Sequence, residues 1–156
     1  MEPSQETLST LFEGAPRFVA RLAAEQTDSW EELLDRAERI ALDMPEDEQI
    51  ELLNSHPRIG ANPASVSAMS FREQGYDRNP GMAVLQDRLD RLNDEYEARF
   101  GFRFVIFVNG RSRDAIAELM LTHMSADRDQ EKERALRDVV AIARSRRERT
   151  REEQRV

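Results

Sequence analysis

Apolar residues recur along this chain at helical spacing, in blocks set apart by Gly, Pro and capping residues. Leu8, Leu11 and Phe12 form a short stripe that stops at Gly14, and Pro16 suits the first turn of a second helix carrying Phe18, Val19 and Leu22. Ser29 with Glu32 three residues on is a capping-box pattern, followed by Trp30, Leu33, Leu34, Ala37, Ile40 and Ala41 on one face. Pro45 and the acidic Glu46-Asp47-Glu48 mark a further helix start, where negative charge favours the helix dipole. Ile50, Leu52 and Leu53 give that helix a buried side, and it ends just before His56-Pro57.

Between Arg58 and Ser67, Gly60, Asn62, Pro63 and several small residues predict a loop. Leu85, Leu89, Leu92 and Tyr96 then stripe the clearest helix, from Met82 to Phe100, with Gly101 as its stop. Phe102 to Val108 reads Phe-Arg-Phe-Val-Ile-Phe-Val ahead of the turn Asn109-Gly110. Propensity makes that run a buried strand, yet the chain offers no second convincing strand to pair with it. Either it is helical against propensity, or it is an extended segment whose backbone groups are free to bind something. Ser112 and Asp114 open another helix with Ile116, Leu119 and Met120, and Leu136, Val139, Val140 and Ile142 stripe a last one. Beyond Arg147 the chain mixes Glu and Arg with no apolar side, so it frays or extends a solvated helix. The pattern predicts an all-α class: a helical bundle with one extended apolar segment near residues 102–108. It reads as a single domain over residues 1–156, with a tail after about residue 148 that is open to fraying.

Composition narrows the picture. The 156 residues suit one core, and 35% charge against a typical ~25% fits helices with long solvated faces. The absence of cysteine excludes a disulfide framework, a thiolate zinc site and a cysteine nucleophile, and fits a reducing compartment. Residues 1–10 lack both a basic stretch and an apolar core, and no run approaches the ~20 apolar residues of a membrane span, so the expectation is a soluble cytoplasmic protein without a membrane partner. A net charge of -8 argues against nucleic acid, which calls for a basic surface, and an anionic ligand therefore needs a local cationic pocket. Lys132 is the only lysine among the 23 basic residues. Codon bias is the bland explanation, but a guanidinium that holds a carboxylate bidentately is available wherever one is needed.

Three places could carry chemistry. His56, in Asn54-Ser55-His56-Pro57-Arg58-Ile59-Gly60, sits at a helix end on a chain stiffened by proline, and an imidazole of pKa ~6.5 trades protons at neutral pH, as a general acid must. The structural alternative is a histidine that merely terminates its helix by satisfying a carbonyl. His123, beside Met120 and Met124, reads as a partly buried surface histidine. In Ser70-Phe71-Arg72-Glu73-Gln74, Ser70 and Glu73 fit a capping box; the functional alternative places Glu73 beside His56, where a carboxylate raises and orients the imidazole, while Ser70 and Gln74 face a polar ligand. Of the basic cluster Arg144-Ser145-Arg146-Arg147, Arg146 lies four residues after Ile142 and is the one expected to point inward, where it needs a carboxylate from the protein or from a substrate. Two histidines of dissimilar setting make a poor metal site, and the phosphate-loop, calcium-loop and nucleophile-elbow patterns are missing.

Taken in order, these motifs resemble the 2-oxo-4-hydroxy-4-carboxy-5-ureidoimidazoline (OHCU) decarboxylases of ureide formation. The likeness runs through Leu11-Phe12-Glu13-Gly14-Ala15-Pro16, His56-Pro57-Arg58-Ile59-Gly60, Ser70-Phe71-Arg72-Glu73-Gln74, the stretch from Leu92 to Ile106, and Ile142-Ala143-Arg144-Ser145-Arg146. Two departures stand out: Ser145 where a leucine is usual, and the connection Asn79-Pro80-Gly81. The resemblance implies an all-helical enzyme that uses neither metal nor cofactor, commonly a homodimer, converting an anionic ureidoimidazoline to (S)-allantoin and carbon dioxide in urate degradation. It also implies a functional link to 5-hydroxyisourate hydrolase. It casts His56, Glu73 and Arg146 as catalytic. Pro57, Ser70, Phe71, Arg72 and Gln74, with backbone groups of Phe104, Val105, Ile106, Phe107 and Val108, become substrate-binding. Two competing expectations are an all-α interaction module without catalysis, and a family member whose ureido or carboxy-ring substrate has drifted.

Overall fold

The structure, a computed structural model, describes residues 3–60 and 83–154, and among these it has seven helices and no strand. They are α1 (Gln5–Leu11), α2 (Pro16–Ala23), α3 (Trp30–Asp43), α4 (Glu46–Asn54), α5 (Ala83–Phe100), α6 (Arg113–His123) and α7 (Arg128–Gln154). The class is all-α, as the periodicity predicts.

The helix starts follow from local chemistry. The hydroxyls of Ser4, Ser29 and Ser112 accept from the backbone N–H groups of Thr7, Glu32 and Ala115, each at 3.1 Å, satisfying amides that the helix itself leaves unpaired. The Glu32 carboxylate completes its cap one residue earlier than the capping box predicts, accepting from Asp28 N–H at 2.9 Å. Pro45 is the N-cap of α4 and makes no side-chain cap; Glu46, Asp47 and Glu48 supply the negative charge instead. At the other end of the chain, α7 remains helical to Gln154, which is the solvated-helix alternative for the tail.

Packing centres on α7, which lies against α1, α3 and α4, while α5 packs on α6 and α2 bridges α1, α3 and α4. The stripe residues Leu136, Val139, Val140 and Ala143 are fully or almost fully buried, and burial of each large apolar side chain is worth roughly 1.5–3 kcal/mol. An aromatic cluster joins α5 to the chain beyond it: the Tyr96 ring lies 4.6 Å from Phe100 and 5.0 Å from Phe104, centroid to centroid. The apolar run after Gly101 is the extended alternative, without helix or strand. Its Phe102, Phe104, Val105, Ile106 and Val108 are buried, and side chains rather than a second strand meet its backbone.

The turn after α4 is pinned from three sides. Arg58 donates to Asp94 (2.7 Å) and Glu97 (2.6 Å) on α5, Asn93 Nδ2 donates to the Ile59 carbonyl (2.8 Å), and the Arg103 guanidinium donates to the carbonyls of Asn54 (2.8 Å) and His56 (3.2 Å). Gly60 closes the turn at φ +81° against α5, where an added Cβ would stand 3.0 Å from Leu89 Cδ1.

Candidate active site

His56 follows the C-terminal turn of α4 and is 4% exposed. Its Nδ1 lies 3.1 Å from the Leu52 carbonyl. A carbonyl can only accept, so Nδ1 carries the proton and Nε2 carries the lone pair. Nε2 is buried and has no hydrogen-bond partner among the described residues. Leu52 therefore plays the carbonyl part foreseen in the structural alternative, yet that bond uses only one of the two ring nitrogens.

Arg146 on α7 is 1% exposed, the largest fully buried side chain of the described residues. Its Nη1 donates to the carbonyls of Thr10 (3.1 Å) and Leu11 (3.3 Å) at the end of α1, and its Nη2 donates to Glu13 Oε1 at 2.6 Å. The neighbouring arginines go elsewhere: Arg144 pairs with Asp35 at 2.6 Å, and Arg147 lies over the Trp30 ring at 4.7 Å. Arg146 is thus the inward-facing member of the cluster.

Burial, and next the positive charge of Arg146, push the His56 imidazole down to about 4; its bond to Leu52 and the Glu13 carboxylate oppose the shift. The ring is neutral at physiological pH. Among these groups, desolvation and the guanidinium outweigh Glu13; Glu73, the carboxylate expected to raise the imidazole, lies outside the described residues.

His56 and Arg146 are thus brought into one electrostatic neighbourhood, with Pro57 half-buried beside them. Ser70, Phe71, Arg72, Glu73 and Gln74 lie outside the described residues. In the segment from Phe104 to Val108 several backbone groups already have protein partners. The Val105 carbonyl accepts from Arg134 (2.7 Å), Phe107 N–H donates to Asp138 (3.1 Å), the Phe107 carbonyl accepts from the Arg111 side chain (2.9 Å), and the Val108 carbonyl from Arg111 N–H (3.0 Å).

Two features escape sequence reasoning. Glu13, at φ +55° between Phe12 and Gly14, supplies the carboxylate that a buried Arg146 requires. The only local signal is an acidic residue beside a helix-stopping glycine. The second is a buried network on α7. Glu131 is 1% exposed, accepts from the Tyr96 hydroxyl and from Arg134 (2.7 Å), and stands 3.3 Å from Nδ1 of the half-buried His123. Burial and Glu131 together push the Tyr96 hydroxyl upward, while burial and Arg134 lower His123. The spacing of Glu131, Arg134 and Asp138 along one helix was the available signal.

A family profile described as OHCU decarboxylase matches residues 2–148. The uric acid degradation bifunctional protein PucL of Bacillus subtilis is 30% identical over 146 residues, covering 90% of this chain and 29% of that protein. The 2-oxo-4-hydroxy-4-carboxy-5-ureidoimidazoline decarboxylase of Haloferax volcanii is 27% identical, covering 88% of this chain and 83% of the relative. Its counterpart in Halalkalicoccus jeotgali is 30% identical, covering 88% and 79%. The chain thus spans under a third of the bifunctional relative and most of the two decarboxylases. A crystal structure of OHCU decarboxylase in the presence of (S)-allantoin superposes with a TM-score of 0.75 at 21% identity, covering 92% of this chain and 95% of that one, a likeness of fold.

Proposed function

This chain belongs to the OHCU decarboxylase family, and on that premise we propose that it decarboxylates 2-oxo-4-hydroxy-4-carboxy-5-ureidoimidazoline to (S)-allantoin in urate degradation. The reaction class is that of a carboxy-lyase. The observation that carries the reading is the buried His56, with Nδ1–H tied to Leu52 and Nε2 left, among the described residues, as an unpartnered acceptor beside a buried guanidinium.

The chemistry suits those groups. When carbon dioxide leaves, the bonding electron pair enters the imidazoline ring, the ring nitrogen takes a proton from solvent, and an enol remains. Nε2 of neutral His56 accepts the hydroxyl proton as that oxygen becomes a carbonyl, then returns it to the ring carbon bearing the ureido group. A single face of delivery sets a single hand of product. General acid–base help of this sort is worth roughly 10² to 10⁴ in rate. Arg146 supplies the positive field for the substrate carboxylate, with Glu13 fixing its guanidinium.

The assignment extends to Glu73 as the group that orients and tunes the imidazole, and to Pro57, Ser70, Phe71, Arg72 and Gln74 as ligand contacts. Within Phe104, Val105, Ile106, Phe107 and Val108, the groups already bonded to Arg134, Asp138 and Arg111 leave Phe104 and Ile106 as the ligand-facing backbone. The same proposal comprises one domain over residues 1–156, a homodimer, a cytoplasmic location, catalysis without a cofactor, and a functional link to 5-hydroxyisourate hydrolase.

The test is to supply freshly generated substrate and follow allantoin by circular dichroism. The protein should accelerate an enantiomerically enriched signal, and His56→Asn should lower that rate by about 10² or more while keeping its helical spectrum. Turnover near that of the parent in the variant would remove His56 from the mechanism.

A further inference from the structure

Hydrogen-bond partners alternate along residues 105–107. Arg134 Nη1 donates to the Val105 carbonyl at 2.7 Å, and Asp138 Oδ2 accepts from Phe107 N–H at 3.1 Å. The two side chains, one turn apart on α7, are themselves paired at 2.9 Å. In an extended chain the N–H and C=O of one residue point to one edge, and those of its neighbours to the other. The carbonyl of Val105 and the amide of Phe107 therefore share the edge that faces α7, and both groups of Ile106 lie on the opposite edge. Ile106 is 5% exposed, and its N–H and C=O have no hydrogen-bond partner among the described residues. Buried backbone groups are paired in more than nine cases of ten, so an unpaired donor and acceptor side by side are shaped for a ligand amide.

The clamp is itself held rigidly. Glu131 accepts from Arg134 at 3.0 and 2.7 Å and from the Tyr96 hydroxyl, and the Arg134 guanidinium lies 5.3 Å from the Phe104 ring centroid. A side chain so fixed cannot follow the segment if it rotates; it sets the segment's orientation.

We propose that Arg134 and Asp138 are positioning residues that bind the α7-facing edge of residues 105–107 and thereby turn the Ile106 amide edge toward the ureido group of the substrate. The proposal rests on the activity assigned above. It explains why an apolar strand-like run persists without a partner strand: two side chains replace one edge, and the ligand completes the other.

The experiment compares Asp138→Ala and Asp138→Asn with the parent chain. Asparagine keeps an oxygen that accepts from Phe107 N–H, whereas alanine does not. Asp138→Ala should raise KM about tenfold with kcat within about twofold, the pattern of lost ground-state binding, and Asp138→Asn should restore KM to within about threefold of the parent. Amide exchange at Phe107 should quicken in the alanine variant alone. A second measurement stays with the parent chain: titration with (S)-allantoin, followed by backbone amide resonances, should shift Ile106 more than Val105. An unchanged KM in Asp138→Ala, or equal KM losses in both variants, would overturn the clamp while leaving the decarboxylase assignment intact. A parent chain that neither binds (S)-allantoin nor turns over the substrate would overturn both.

Discussion

At the scale of the residue, His56 carries a measurable consequence apart from its proposed part in catalysis. Its folded pKa of about 4 lies below the ~6.5 of an unfolded histidine, so between those values the unfolded chain binds more protons than the folded one. Stability therefore rises with pH through that window, is complete above about 6.5 and is lost as pH falls toward 4. His123, also lowered, adds to the loss with the same sign. Thermal melts of the parent chain should fall between pH 7 and pH 5 by on the order of 2 kcal/mol from His56 alone, and His56→Asn should lose that part of the decline. Identical pH profiles for the two proteins would mean that the ring titrates normally. Sequence located this residue and its stiffened setting, but not its charge state. That depends on Arg146, ninety positions later, and on burial, neither of which is written in the seven residues around it.

At the scale of the element, the turn from His56 to Gly60 links α4 to α5 through contacts that sequence does not order. Arg58, Asn93 and Arg103 hold its carbonyls and side chains, and Gly60 closes it at a left-handed φ with Leu89 directly behind. Gly60→Ala should lower stability by about 1–3 kcal/mol through the strained φ and the 3.0 Å approach to Leu89 Cδ1, read as a shift in the urea midpoint at unchanged slope. A midpoint equal to that of the parent would show that the turn is free to relax. Helix limits, by contrast, are legible from the chain because their causes are local. Ser29 and Ser112 cap, and Gly14 and Gly101 at φ +85° and +81° stop. The segment from Phe102 to Val108 was legible only as a pair of alternatives, since the partners that decide it lie on α7.

At the scale of the whole molecule, exposed ion pairs such as Arg17–Asp47 and Arg144–Asp35 decorate a chain of net charge -8 and contribute little each. Cohesion comes from α7, whose apolar stripe meets three helices. The homodimer of the proposal predicts a sedimentation-equilibrium mass about twice 18.1 kDa at micromolar concentration, and a mass of one chain under those conditions would remove it. Local spacing by itself determined where the helices lie, several of their limits and the all-α class, because periodicity and capping act over a few residues. It also picked out His56 and Arg146 as groups able to move a proton and hold an anion. Only the tertiary structure decided that Glu13 neutralises the inward-facing Arg146, and that Arg134 and Asp138 take one edge of the segment from Val105 to Phe107. Charges buried together are set by which helices pack, and desolvation acts across space rather than along the chain.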